Sequence, residues 1–208
     1  MQSTRRSAQL GTAGLEFALS TVFWVPLLLG TSVFGFSLIR AIQVTQITRD
    51  AAHMHAFGLD FAQTANRNVL LRLAHGLNVS ATGGNGVFLI STVLQIGAAE
   101  CTAAGLVADS ANCPNLGRPV FTRRIVVGNA ALRASDFGTP NAAIINSAGH
   151  ITSPDYLTNV SARANGFGSV VAGMADGQVA YLVEGYLATP ELTRAYYSSP
   201  GHYARSIF

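Results

Sequence analysis

Lysine is absent from this chain, and all thirteen basic residues are arginine. Charged side chains of both signs make up only 11% of it, against about 25% in an ordinary soluble domain. The formal charge is +3, and Arg5 and Arg6 supply two of those positive charges ahead of a long apolar run. The other arginines are scattered, with Arg123-Arg124 as their one adjacent pair. That pattern excludes the basic stripe of a nucleic-acid interface.

Cysteine is scarce as well: Cys101 and Cys113 are the only two. Neither has a histidine or further cysteine nearby at ligand spacing, which argues against a metal centre. In an oxidising compartment the pair is expected to form a disulfide across a surface loop; two buried free thiols are the alternative. Closing a loop of this size stabilises by about 3 kcal/mol on the chain-entropy account.

Catalytic signatures are missing too. The chain has no G-x-S-x-G, no P-loop and no G-x-G-x-x-G opening a helix after a strand. His53 and His55 stand two residues apart, which on a helix turns them about 200° from each other, whereas chelation from a helix wants i,i+4 spacing. His75, His150 and His202 have no companions in a credible motif. Asp136, Asp155, Asp176, Glu184 and Glu191 cannot be paired from sequence. Glu184, in the apolar run from Tyr181 to Tyr186, is expected to be an edge or solvent-face charge that discourages strand addition. Gly166-Phe167-Gly168 reads as a turn. No enzymatic activity, cofactor or metal is expected.

What the chain does have is one long apolar segment. From Phe17 to Ile39 no residue is charged, and Glu16 stands alone at its head. As a helix, Leu15 to Ile39 would extend somewhat over ~35 Å, against a hydrocarbon core roughly 30 Å thick. Pro26 lies inside the run, which membrane helices tolerate when neighbours satisfy the freed carbonyl. Arg5 and Arg6 keep the short leader cytoplasmic and send everything after Arg40 outward. A cleaved signal peptide is the alternative, but the run is too long for an h-region and no A-x-A-like site follows it. The residues around Arg5-Arg6 fit a twin-arginine signal poorly. A carboxylate at the head of a membrane helix costs a few kcal/mol or more unless a partner compensates it.

After the membrane the period stays helical, then changes. Val44, Ile47, Ala51, Met54, Gly58, Phe61 and Ala65 recur at spacings of three and four. They predict a first helix from about Ala13 to Phe57. A second runs from about Phe61 to His75, restarted by Asp60 and Gln63 and followed by Gly76. From the Gly83 to Gly86 turn onward, Val87–Ile96, Val120–Val127 and Gln178–Ala188 read as strands. The first two form an antiparallel hairpin whose long connection holds the cysteines. Tyr203–Phe208 is either an edge strand or frayed. Ser153-Pro154-Asp155 reads as a helix start, with Gly166 as its stop. Asn129 to Ser153 shows no clear element. The fold class is α+β, with roughly 165 residues outside the membrane, enough for one domain with a core.

These residues carry a resemblance. The order of basic leader, Gly11, Thr12, Ala13, Gly14, Leu15, Glu16 and Phe17 resembles the processing and assembly signal of type IV pilins. With Pro26 and Leu27-Leu28-Leu29-Gly30, the Gln43–Gly58 stretch containing Thr48-Arg49-Asp50-Ala51-Ala52, and the late Gly177–Tyr186 strand followed by Pro190, the chain resembles the TadE-like pseudopilins of the tight-adherence (type IVc) pilus system.

The resemblance implies cleavage by a prepilin peptidase between Gly11 and Thr12. Glu16 and Phe17 would then direct subunit assembly, the glutamate falling fifth in the mature chain. It implies a leader at 1–11, a membrane helix at 12–39, a helical extension at 40–76 and a periplasmic α+β domain at 77–208. The implied role is a minor subunit that primes or caps a filament after processing. Its partners would be the major pilin, other minor pseudopilins, the inner-membrane pilus platform and membrane lipid. The competing readings are a signal-anchored periplasmic ligand-binding domain unrelated to pili and, behind it, an anchored hydrolase.

Overall fold

The computed structural model describes residues 5–171, 173–189 and 201–208. Residues 1–4 of the leader, Pro190 and Glu191 lie outside the described residues. The chain divides into two compact units, Met1–Arg40 and Ala41–Phe208. Helix α1, Arg5–Ala56, contributes to both. It begins earlier than the expected Ala13 because no proline or capping motif interrupts the leader, and Gly11 and Gly14 each cost only about 1 kcal/mol in a helix.

In the second unit α1 ends where the sequence pattern weakens. Gly58 takes φ 87°, the Gly58 N–H donates to His55 O at 3.0 Å and the Leu59 N–H to Met54 O at 3.0 Å. That is a Schellman closure with glycine at C′. Helix α2 then spans Thr64–Leu73, starting later than the expected Phe61. The reason is local: Asp60 Oδ1 accepts from the Ala62 N–H at 2.9 Å, holding 60–63 as a turn. Phe61 is driven into the core instead.

Four strands follow: β1 (Gly86–Gln95), β2 (Pro119–Gly128), β3 (Val179–Ala188) and β4 (Gly201–Ile207). They make one antiparallel sheet in the order β2-β1-β3-β4. The expected β1–β2 hairpin is present, and the Tyr203–Phe208 segment resolves as an edge strand. One face of the sheet meets helices. Val44, Ile47 and Ala51 of α1, Phe61 and Leu70 pack with Phe88, Ile90, Ile125, Val127 and Val183. Helix and sheet approach closely at Gly185, where an added Cβ would collide with Thr48 Oγ1 and crowd the Phe88 ring.

The other face carries a second core of Val93, Phe121, Phe137, Ile151, Phe167 and Leu182. Its outer layer comes from the Gly- and Asn-rich region between β2 and β3. That region holds short 3-10 turns at Ala142–Ile144 and Val160–Ala162, and helices α4 (Asp155–Thr158) and α5 (Phe167–Val170). Two local expectations are corrected here. Pro154, not Ser153, occupies the N-cap of α4, with no side-chain cap bond. Gly166, at φ 75°, opens α5 rather than ending a helix, and Phe167, expected in a turn, is a fully buried residue of α5. A large apolar ring overrides turn composition.

Between β1 and β2 lies helix α3 (Ala98–Ala103), whose start is fixed by the Gly97 N–H donating to Glu100 Oε2 at 2.8 Å. It presents Cys101 to Cys113, and the two are bonded with Cα atoms 6.1 Å apart. Both are buried against Ile96, Val120, Leu157 and Ala162. Replacing both cysteines by serine is expected to destabilise the protein by about 3 kcal/mol or more, since a lost cross-link adds to two buried hydroxyls. Denaturant unfolding of the double variant beside the wild type checks this; an unchanged midpoint would remove the staple's role.

Candidate functional site

The residues singled out at the amino-terminal end lie on successive turns of α1. Thr12 and Glu16 are four apart and so share one face. Phe17 follows, 75% exposed. At about 100° per residue, Phe17, Phe23 and Leu29 point roughly 120° away from one another. All three are more than half exposed. The helix is therefore apolar on every side, the signature of a segment meant for lipid or for other helices rather than for an aqueous surface. By length and composition it can cross a membrane once.

Its few polar groups are turned inward on the helix itself. The Thr21 hydroxyl donates to Phe17 O at 2.8 Å, Thr31 to Leu27 O at 3.0 Å and Ser32 to Leu28 O at 2.8 Å. Hydroxyls bonded to backbone carbonyls in this way carry little desolvation cost in hydrocarbon. Glu16 is then the one carboxylate of the apolar stretch, in the first turns beyond Gly11.

The second unit holds a polar centre that the sequence did not reveal. Glu184 is 2% exposed on β3, an interior strand between β1 and β4. It is not the edge or solvent-face charge expected of it. The Ser135 hydroxyl donates to its Oε2, the Asp136 N–H to Oε1 at 2.9 Å, and the Tyr203 hydroxyl to Oε1 at 2.9 Å. Arg124 Nη1 stands 3.8 Å from Oε2, donates from Nη2 to Gly138 O at 2.7 Å, and stacks 4.3 Å above the Phe121 ring. Burial pulls the Arg124 guanidinium down to about 10, and the Glu184 carboxylate opposes that pull. Burial and the adjacent Glu184 charge both push the Tyr203 phenol well above its ordinary value. The centre ties loop 133–138 to the sheet.

His53 and His55 are not brought together. His53 faces the Phe57 and Phe208 rings, while His55 is buried, with Nε2 and Thr92 Oγ1 sharing a hydrogen bond of 3.0 Å. Burial, reinforced by the Arg123 charge, lowers His55 to about 4 from 6.5. Between those two values the unfolded chain holds a proton that the folded chain does not. The stability His55 confers is therefore complete above pH 6.5 and lost as pH falls toward 4, at about 1.4 kcal/mol per unit. His55→Asn is expected to flatten that slope in unfolding curves taken between pH 5 and pH 7. An equal slope in both proteins would contradict it.

Among the described residues no group of three or more His, Cys, Asp or Glu is placed to hold a metal ion. Comparison with models of protein families, with curated proteins and with solved structures finds no match to this chain.

Proposed function

We propose that this chain is a membrane-anchored minor subunit of a pilus-type assembly, of the TadE-like pseudopilin kind. The observation that carries the reading is a helical stretch, Leu15 to Ile39, apolar on all sides, whose single carboxylate, Glu16, stands just past Gly11. A prepilin peptidase cutting between Gly11 and Thr12 would leave an ammonium at Thr12. That cation is the natural counter-ion for the glutamate of a neighbouring subunit, since a carboxylate in hydrocarbon is tolerated when paired. In this proposal the anchor lies in the inner membrane with the leader cytoplasmic and the α+β domain periplasmic. The platform and the other pilins would draw the subunit into the base or tip of a filament. Its role there is structural, not catalytic.

The peptidase must unwind a helical Gly11–Thr12 bond, and Gly11 and Gly14 make the helix easiest to open at that point. Gly11→Leu both strengthens the helix and fills the position before the cut. The variant is expected to remain entirely as precursor on an immunoblot of membranes from cells with the cognate peptidase. Normal maturation of Gly11→Leu would remove the pilin reading.

A further inference from the structure

One cavity belongs to neither the apolar helix nor the Glu184 centre. Its floor is set by strand register: Thr92 of β1 lies opposite Arg123 of β2 on one side and Tyr181 of β3 on the other. The three side chains form a row across the sheet. They stand on the face that α1 covers further along, as the neighbouring pair Ile90 and Ile125 shows. Because α1 stops at Ala56, the row is only partly covered. His55 closes the inner end, its ring edge-on to Tyr181 with centroids 5.2 Å apart.

A β-bulge completes the site. The register passes from Thr92 opposite Arg123 to Val93 opposite Phe121, so Thr122 is an extra residue on β2. Bulges of this kind re-aim a side chain and recur beside functional sites. Here Thr122 joins the lining. The outer wall is the 146–152 turn, fastened to the same strand by the Ile151 N–H donating to Thr122 O at 2.9 Å and the Arg124 N–H to Gly149 O at 2.7 Å. The cleft is open to solvent and has a volume of about 490 Å³, within the range of ordinary ligand sites.

The chemistry of the lining selects its occupant. Arg123 is already bonded to the Asp60 carboxylate, so the floor has no net charge to offer an anion. His55 is held neutral at physiological pH by its burial. What remains is hydroxyl, amide and one exposed imidazole at the rim: Thr92, Thr122, Thr152, Asn146 and His150, with the flat ring of Tyr181 and the apolar side of Ile151. Arg123 Nε is buried without a hydrogen-bond partner among the described residues. Groups that both donate and accept, set round an aromatic face, match a ring with hydroxyls at its rim and C–H bonds on its face.

We propose that this cavity is a binding site for one uncharged pyranose residue, free or at the end of a glycan. The proposal is independent of how the chain is anchored or processed. Full-length protein in a sugar-free zwitterionic detergent is offered methyl glucoside, methyl galactoside and N-acetylglucosamine, and binding is read by saturation-transfer NMR. Inorganic phosphate and tri-alanine are then added as competitors. At least one pyranose should receive saturation at its ring protons, with an affinity in the ~mM range, and neither competitor should displace it. Tyr181→Leu, which removes the aromatic face, and Thr92→Val, each checked for an unchanged far-UV spectrum, should weaken binding about tenfold or more. Absence of transfer to all three sugars overturns the proposal. So does displacement by phosphate or the peptide, or binding that survives both substitutions unchanged.

Discussion

Glu16→Ala is expected to leave the protein inserted in the membrane and cleaved, but to abolish its incorporation into an assembly. The substitution makes the helix more apolar, and insertion depends on the uninterrupted stretch from Phe17 to Ile39, which is untouched. On the proposed reading, cleavage is set on the other side, at Gly11 and Thr12, and what the variant loses is the charge that would pair with a neighbouring amino terminus. The rest of the apolar stretch does little to fix the register of docking: it exposes apolar side chains on every side, the Thr21, Thr31 and Ser32 hydroxyls are spent on helix carbonyls, and apolar contacts slide freely. Glu16→Asp shortens the reach without removing the charge and should retain part of the function. The comparison is made by co-purification with other pilins from strains carrying each variant at wild-type abundance. Full co-purification of Glu16→Ala would reduce Glu16 to a charge at the interface, reaching water.

Glu184→Ala is the largest expected change in the domain itself. It removes the acceptor of three hydrogen bonds and leaves Arg124, whose side chain is 5% exposed, as an uncompensated buried cation. Breaking a buried pair from one side costs on the order of 3–5 kcal/mol. That is a large part of the total stability of a domain of this size. Loop 133–138 loses its two bonds to the carboxylate at the same time and keeps only the Arg124 bond to Gly138 O and the Arg133 stacking on Tyr203, so Phe137 is expected to loosen in the second core and proteolysis to begin near Ser135. The double variant Glu184→Leu with Arg124→Leu should recover much of the loss, because no charge is then stranded. Equilibrium unfolding of the three proteins checks both parts. A cost for Glu184→Ala below about 1 kcal/mol would show that water already reaches the pair.

Helices and strands were readable where one periodicity dominated. The three- and four-residue spacing of Val44, Ile47 and Ala51 and the β-branched run of β1 each state one face or one strand without help from distant residues. The glycine at 58 and the two cysteines were readable because each has a narrow set of physical uses. Glu184 was misjudged for the opposite reason. Its partners lie at 135, 136 and 203, and nothing local in Tyr181–Tyr186 distinguishes a buried, fully bonded carboxylate from an exposed one. The polar cavity was invisible for a related reason. Arg123, Thr92 and Tyr181 become neighbours only through strand register, and the Thr122 bulge leaves no mark in composition. The Asn129–Ser153 region gave no period because it is held by turns and side-chain bonds, such as Asn146 Oδ1 accepting from the Ala148 and His150 N–H groups.

Intact-mass analysis of the protein extracted from membranes of peptidase-competent cells tests the proposed chemistry of the first turns of α1 most directly. A mature chain that begins at Thr12, with Glu16 fifth from its new amino terminus and the Cys101–Cys113 bond intact, is the predicted result. A chain that keeps residues 1–11, or one cut anywhere beyond the apolar stretch, would contradict it.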